Sequence, residues 1–491
     1  MTGLFDLLDA ALRSRPDGVA TGTPDGRIVF SYRQLALAAE DAARQLKSLG
    51  VAPGDTVAII SDNCVEFVLA LLGIVAAGAA AAPLNPRLAG PELAKILTTL
   101  GANWSITLRS DSGSTAPANL SGRVERVASG AARSARENVA MLLLTGGTTA
   151  APKAVPLSHA NLAASIGGIC ATYELDSRDA TLLVMPLTHG HGLIAGLLAT
   201  LASGGAAYLP SAGRFSASAF WPEMIAASAT WFTAVPTMHQ ILLERAAAEY
   251  PSARPPPLRF VRSCSAAIAP TVAEAVEATF RVPLISAYGM TETTHQASSN
   301  PLPGRGPRKA SSVGVPTDVA IRIVALDGSP APTGAAGEVQ IKGATVMIGY
   351  VDDPRANASA FVDGWFRTGD IGLLDEDGYL FLKGRIKELI NRGGEKIFPE
   401  DVDAVLLSDP RVLNAASFGV PDAKYGEEIH AAVVLQPGQT ASSAELRDHC
   451  ARSLAAFEIP KTFVFVSELP RTAKGSVDRR KLAESFDVRA A

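Results

Sequence analysis

Three observations along the 491-residue chain predict an α/β fold. Strands and helices alternate to about residue 300. From 312 to 383 the pattern becomes short strands with Gly-rich turns, and after 387 a compact mixed module follows. The expectation is a large N-terminal domain, 1–386, of two parallel-type, helix-covered sheets plus a distorted β-barrel at 312–383. A small α+β C-terminal domain, 387–491, completes it. Helical periodicity at 32–49 and 65–77 brackets the strand 56–60. The apolar run 139–144 reads as a buried strand, and a helix at 222–229 precedes the strand 231–235. Asp327-Gly328, Asp363-Gly364 and Asp377-Gly378 mark hairpin turns in the β-rich region. The last module reads as helix 399–407, strands 415–420 and 431–435, then helix 443–454. No internal repeat is evident.

Composition narrows the class. Apolar residues make up 47% and charged residues 19%, which is that of a globular soluble chain. A formal net charge of −4 favours neither nucleic acid nor anionic membrane as a partner. Cys64, Cys170, Cys264 and Cys450 lie far apart without a CxxC pair, which argues against disulfides and zinc. Residues 67–84 carry no charge, but Gly73, Gly78 and Pro83 interrupt them. A buried helix ending near Gly78 and then a short strand fits better than a membrane span. Neither a signal peptide nor a Ser-Lys-Leu terminus is legible, so a cytoplasmic location is expected. Oligomeric state has no signature.

The richest stretch is Thr145-Gly146-Gly147-Thr148-Thr149-Ala150-Ala151-Pro152-Lys153, directly after the 139–144 strand. Glycines allow close backbone approach, hydroxyl and N–H groups hold phosphate oxygens, and lysine adds a compact positive charge. It is not a Walker loop, because Gly-Lys-Ser/Thr is absent. Further motifs follow in order: Ala287-Tyr288-Gly289-Met290-Thr291-Glu292, Trp365-Phe366-Arg367-Thr368-Gly369-Asp370, Gly384-Arg385-Ile386-Lys387-Glu388, and Pro470-Arg471-Thr472-Ala473-Lys474-Gly475-Ser476. Together they resemble the adenylate-forming superfamily of acyl-CoA synthetases, luciferases and peptide-synthetase adenylation domains.

The resemblance implies a two-step reaction with ATP, Mg²⁺ and coenzyme A. A carboxylate attacks the α-phosphorus to give acyl-adenylate and pyrophosphate, then the CoA thiolate displaces AMP. It assigns the loop Thr145, Gly146, Gly147, Thr148, Thr149 and Lys153 to the phosphates. Tyr288 would stack on adenine within Gly289, Met290 and Thr291, while Asp370 and Arg385 would take the ribose. Glu292, a hard carboxylate, would ligate Mg²⁺. His189 would line the acyl pocket. Lys387 marks a hinge about which the C-terminal domain swings between two catalytic poses.

Within the superfamily the chain looks most like the oxalate–CoA ligase branch. Arg262-Ser263-Cys264-Ser265-Ala266, Thr291-Glu292-Thr293-Thr294-His295 and Asn391-Arg392-Gly393-Gly394-Glu395-Lys396 carry that likeness. A dicarboxylate brings a second charge that is costly to bury unpaired. Arg262 offers a planar fork for it, and His191, Ser265 and His295 further donors. Malonate or another short acid is the runner-up. In an extended segment His189 and His191 would share one face and could hold a metal, but no third ligand suggests itself.

The chain departs from the family at three places. Ala150 stands where the family has Gly or Ser and Ala154 where it has Gly, and a methyl strains the loop if φ is positive. The C-terminal motif reads Lys474-Gly475-Ser476, whereas the family places its catalytic lysine at the position of Ser476. Three readings stay open: adenylation is crippled here, Lys474 two residues away substitutes, or the chain binds nucleotide without turnover.

Overall fold

A computed structural model describes residues 4–108, 122–127, 138–145, 152–471 and 477–490. The chain divides into two compact units, one of Met1–Ala320 with Ile341–Phe366, the other of Ile321–Gln340 with Arg367–Ala491.

The first unit holds two mixed sheets whose centres are parallel. One runs in the order Val124–Arg126, Trp104–Thr107, Thr56–Ile60, Ala80–Leu84, Val139–Leu144 and Ala154–Ser158. Helices Val65–Ala76 and Gly90–Leu100 make the crossovers that parallel pairing demands. The uncharged stretch resolves as expected into the buried helix Val65–Ala76 and the buried strand Ala80–Leu84. A β-carbon at Gly73 would stand 2.5 Å from that of Ala42, so glycine lets this helix pack closely on Tyr32–Ser48. Among the described residues no helix is long and apolar enough to cross a membrane.

The other sheet contains nine strands. Its parallel centre is Leu284–Tyr288, Phe260–Ser263, Trp231–Ala234, Ala180–Leu182 and Ala206–Tyr208. Thr233 and Arg262 are register partners on adjacent strands. The helix expected at 222–229 begins earlier, at Ala217, and carries Pro222 inside it. Phe220 and Trp221, both 1% exposed, bury that first turn against Phe232 and Phe280, and packing overrides the proline as a start signal.

Strands of the β-rich region pair in the order Val319–Val324, Gly337–Gly343, Trp365–Leu374 and Phe361–Val362, with Leu380–Arg385 also on Trp365–Leu374. In the C-terminal module the order is Glu395–Ile397, Ile390–Arg392, Gly426–Leu435 and Val412–Asp422, and Thr462–Phe465 adds in parallel to Gly426–Leu435. Helix Pro399–Leu407 has the expected bounds, while the two long strands extend beyond theirs. Helix 443–454 ends earlier, at Cys450. Val402, Leu406, Ile429, Val433 and Leu446 form its core.

Candidate active site

The loop that would hold phosphates springs from a hairpin. Leu144 and Ala154 are register partners, and beyond them Thr145 N–H donates to the Lys153 carbonyl at 2.9 Å. Lys153 N–H returns a bond to Thr145 Oγ1 at 3.1 Å. Thr145 and Lys153 therefore stand opposite one another at the loop's base. Gly146, Gly147, Thr148 and Thr149 lie outside the described residues, as do Ala150, Lys474 and Ser476. Ala154 is a buried strand residue, absent from the residues of positive φ, so its methyl strains nothing.

Tyr288 ends a parallel strand and Glu292 sits on the short 3₁₀ turn Thr291–Thr293. That turn is tied down by Met290, whose carbonyl accepts from His295 N–H at 2.9 Å and Thr293 N–H at 3.1 Å. Gly289 has to be glycine: a β-carbon there would lie 1.4 Å from the His295 carbonyl oxygen. Glu292 is 6% exposed, and Tyr350 O–H donates to its Oε1 at 2.9 Å. Lys153 Nζ lies 4.5 Å above the Tyr350 ring. Tyr350 thus joins Lys153 to Glu292, a link that no sequence spacing announced. Among the described residues no group of three or more metal-type side chains occurs. A single buried carboxylate fits Mg²⁺, which takes one or two carboxylates and fills its octahedron with phosphate oxygens and water.

Behind this lies a second cluster at the carboxyl ends of the parallel strands, where ligands of open α/β sheets bind. The segment 189–191 does not extend. It turns into the π-helix His191–Leu198, so the alternation argument for a shared face fails, and His189 is partly exposed while His191 is 3% exposed. His191 Nε2 lies 2.5 Å from Thr233 Oγ1 and its Nδ1 2.9 Å from Ser265 Oγ. The His191 and His295 rings stack at 5.2 Å. Burial above all, then the proximity of the His295 imidazole and the Arg262 guanidinium, hold His191 well below the usual histidine range. Burial and then Arg262 do the same to His295.

Arg262 is 0% exposed. Its Nε donates to Tyr173 Oη at 2.8 Å and one Nη1 proton to Thr233 Oγ1 at 3.1 Å. Its Nη2 protons go to His295 Nε2 and Gln296 Oε1, both at 3.1 Å. All four partners are neutral, and the described ion pairs include none to this guanidinium. The open fork expected from sequence is thus largely engaged inside the protein. Gln296 Nε2 is buried with no hydrogen-bond partner among the described residues. Ser265, Thr294 and His295 have φ of 72°, 51° and 79°, a left-handed conformation that side chains resist. Sequence reasoning did not reach Thr233, Tyr173 and Gln296, which look like ordinary strand, helix and loop residues.

In the other unit Asp370 and Arg385 are cross-strand register partners, with Arg385 Nε 3.0 Å from Asp370 Oδ1. Asp370 is buried and Arg385 exposed. Lys387 is exposed on the 3₁₀ turn Ile386–Glu388.

Residues 8–351 match the AMP-binding enzyme family and 401–476 its C-terminal domain. The chain belongs to the AMP-binding enzyme family. It is 43% identical to an oxalate–CoA ligase of Arabidopsis thaliana over 98% of both chains. Identity is 38% to the oxalate–CoA ligase of Saccharomyces cerevisiae over 88% of this chain and 87% of that one, and 37% to a sulfoacetate–CoA ligase of Cupriavidus necator over 98% of both. ATP-bound MatB from Rhodopseudomonas palustris superposes with a TM-score of 0.89 at 28% identity, covering all of both chains. A Bacillus subtilis O-succinylbenzoate CoA synthetase with ATP and magnesium superposes at 0.81 and 28%, over 97% of this chain and 98% of that one. Within the family this AMP-binding enzyme is an acid–CoA ligase of the acyl-CoA synthetase type.

Proposed function

We propose that this AMP-binding enzyme is an oxalate–CoA ligase. Oxalate attacks the α-phosphorus of ATP, releasing pyrophosphate and forming oxalyl-adenylate. The CoA thiolate then attacks the acyl carbon, AMP departs, and oxalyl-CoA remains. The observation that carries the substrate is Arg262, a fully buried cation whose hydrogen-bond partners Tyr173, Thr233, His295 and Gln296 are neutral and which has no ion pair among the described residues. Buried charges are ordinarily paired, and a second substrate carboxylate supplies the counter-charge. A carboxylate one side chain away, ~6–7 Å, gains about 2–3 kcal/mol at an effective dielectric of about 20. The oxalate–CoA ligases of Arabidopsis thaliana and Saccharomyces cerevisiae to which it is similar support the same choice.

In this scheme Thr145, Gly146, Gly147, Thr148, Thr149 and Lys153 hold the phosphates, Tyr288 packs on adenine beside Gly289, Met290 and Thr291, and Asp370 with Arg385 takes the ribose. Mg²⁺ at Glu292 neutralises phosphate charge when bound. His189 lines the acyl pocket, and His191, Ser265 and His295 face the distal carboxylate, backed by Arg262. The C-terminal domain begins at 387 and swings about Lys387 to admit CoA in a cytoplasmic setting.

Sulfoacetate is the second candidate, because its sulfonate also brings a distal negative charge and a sulfoacetate–CoA ligase is a 37% relative. Malonate fits the same logic. AMP formation from ATP, Mg²⁺, CoA and each acid, in this chain and in Ser476→Lys, decides among them. Oxalate turnover in both means Lys474 suffices. Turnover only in the lysine variant means the chain has lost its first step. Silence with oxalate in both overturns the oxalate assignment.

A further inference from the structure

We propose that Arg262 is a positioning residue whose donor-only guanidinium sets the direction of two hydrogen-bond chains, so that Ser265 and His295 both present protons to the distal anionic group of the acid. The substrate named here rests on the oxalate assignment above; the proton order rests on geometry alone.

The direction follows from counting protons. Guanidinium only donates, so Thr233 Oγ1 must accept from Nη1 at 3.1 Å. Thr233 is 4% exposed, and its own single proton has one acceptor among its contacts, His191 Nε2 at 2.5 Å. A buried hydroxyl proton left without an acceptor is destabilising, so Nε2 is the bare nitrogen of His191. With that ring neutral, its proton sits on Nδ1 and is donated to Ser265 Oγ at 2.9 Å. Ser265 is exposed, and its hydroxyl proton is then free to point outward.

The second chain is shorter. Arg262 Nη2 donates to His295 Nε2 at 3.1 Å, which places the proton of a neutral His295 on Nδ1. Burial of both imidazoles beside a guanidinium keeps them uncharged, which the argument requires. Each chain therefore ends in a donor. Without Arg262, Thr233 and His295 lose the contacts that define their polarity, and each imidazole can reverse. The positive φ of Ser265, Thr294 and His295 agrees with a backbone held against its preference to aim these two ends.

Such an array distinguishes acids by their second charge. A distal carboxylate or sulfonate accepts from both ends, whereas a methyl group there leaves two donors unsatisfied, and sites built to hydrogen-bond discriminate strongly. Arg262 touches none of this directly.

Histidine ¹⁵N spectra of the full chain, assigned by single substitution, read the proton order without substrate. Nδ1–H tautomers for both His191 and His295 are expected; an Nε2–H form of either overturns the proposal. Kinetics supply the second readout. In Thr233→Val, a near-isosteric change, the ratio of kcat/KM for oxalate to that for acetate should fall roughly ten- to hundredfold, as in Ser265→Ala. Because Thr233 acts through Ser265, the double variant should be no worse than the poorer single one. Equal losses on both acids, or multiplying losses in the double variant, overturn the relay. Should the wild-type chain ignore oxalate yet show both Nδ1–H tautomers, the oxalate assignment fails and the proton order stands.

Discussion

Replacing Tyr350 by phenylalanine removes one oxygen and leaves the ring. That oxygen donates to Glu292 Oε1 at 2.9 Å, and the carboxylate is 6% exposed. Hydrogen bonds to a charged group are worth about 1.5–3 kcal/mol when poorly hydrated. The phenyl ring still lies under Lys153, whose Nζ is 4.5 Å from the ring centre, so the lysine proposed for the phosphates keeps its support. Burial and the nearby Glu292 hold the Tyr350 hydroxyl above its ordinary range, so it remains a donor throughout the working pH. The loss should therefore fall on the Mg²⁺–ATP site, as roughly a 10- to 150-fold drop in kcat/KM for ATP. The assay is AMP formation against ATP at several Mg²⁺ concentrations, with oxalate and CoA saturating. Higher Mg²⁺ should recover part of the activity. The reasoning is refuted if ATP kinetics stay within about twofold of wild type, or if the defect appears in the KM for oxalate instead.

Three further outcomes are expected. Gly289→Ala drives a methyl into the carbonyl of His295, a residue proposed to face the substrate, so oxalate turnover should fall about a hundredfold or more, measured by AMP release beside a melting curve. Ser476→Lys should raise oxalate-dependent adenylation, read as pyrophosphate exchange, and leave thioester formation from supplied adenylate near the wild-type rate. Finally, burial lifts Glu400 from 4.5 to about 7, although Arg479 opposes this. The folded state then holds that proton more tightly than the unfolded chain, so the contribution of Glu400 to stability is fully present below about 4.5 and is lost as pH rises through about 7. Glu400→Gln should flatten that decline, by up to about 3 kcal/mol, in melting curves taken from acid to neutral pH.

Helices and strands with strong periodicity were legible to within a residue or two: Val65–Ala76, Thr56–Ile60 and Pro399–Leu407 each follow from pattern and punctuation. Pro222 misled because its helix is held by Phe220 and Trp221, and that packing partner set is set by tertiary contacts. The motifs proposed for ATP stand out in the sequence as strings of residues whose chemistry suits phosphate and ribose. Their mutual support was not. Thr233 reads as one residue of an apolar strand, Gln296 as one of a polar loop, and Tyr350 as an aromatic in a β-rich region. Only folding brings them against Arg262, His191 and Glu292, over separations that local periodicity cannot encode. The π-helix at His191 was hidden for a related reason, since two histidines and two glycines suit an extended run equally well.

The left-handed backbone at Ser265, Thr294 and His295 also bears on how this enzyme can change. Each such residue disfavours the folded state by about 1–3 kcal/mol, and a β-branched threonine is among the least suited to it. Glycine at any of the three would relax the chain at once. Selection for heat resistance alone should therefore find these positions early and return sturdier proteins that discriminate acids poorly. Durability and substrate choice pull against each other here at the same few backbone torsions, and an engineer seeking a tougher catalyst should look for stabilising changes elsewhere.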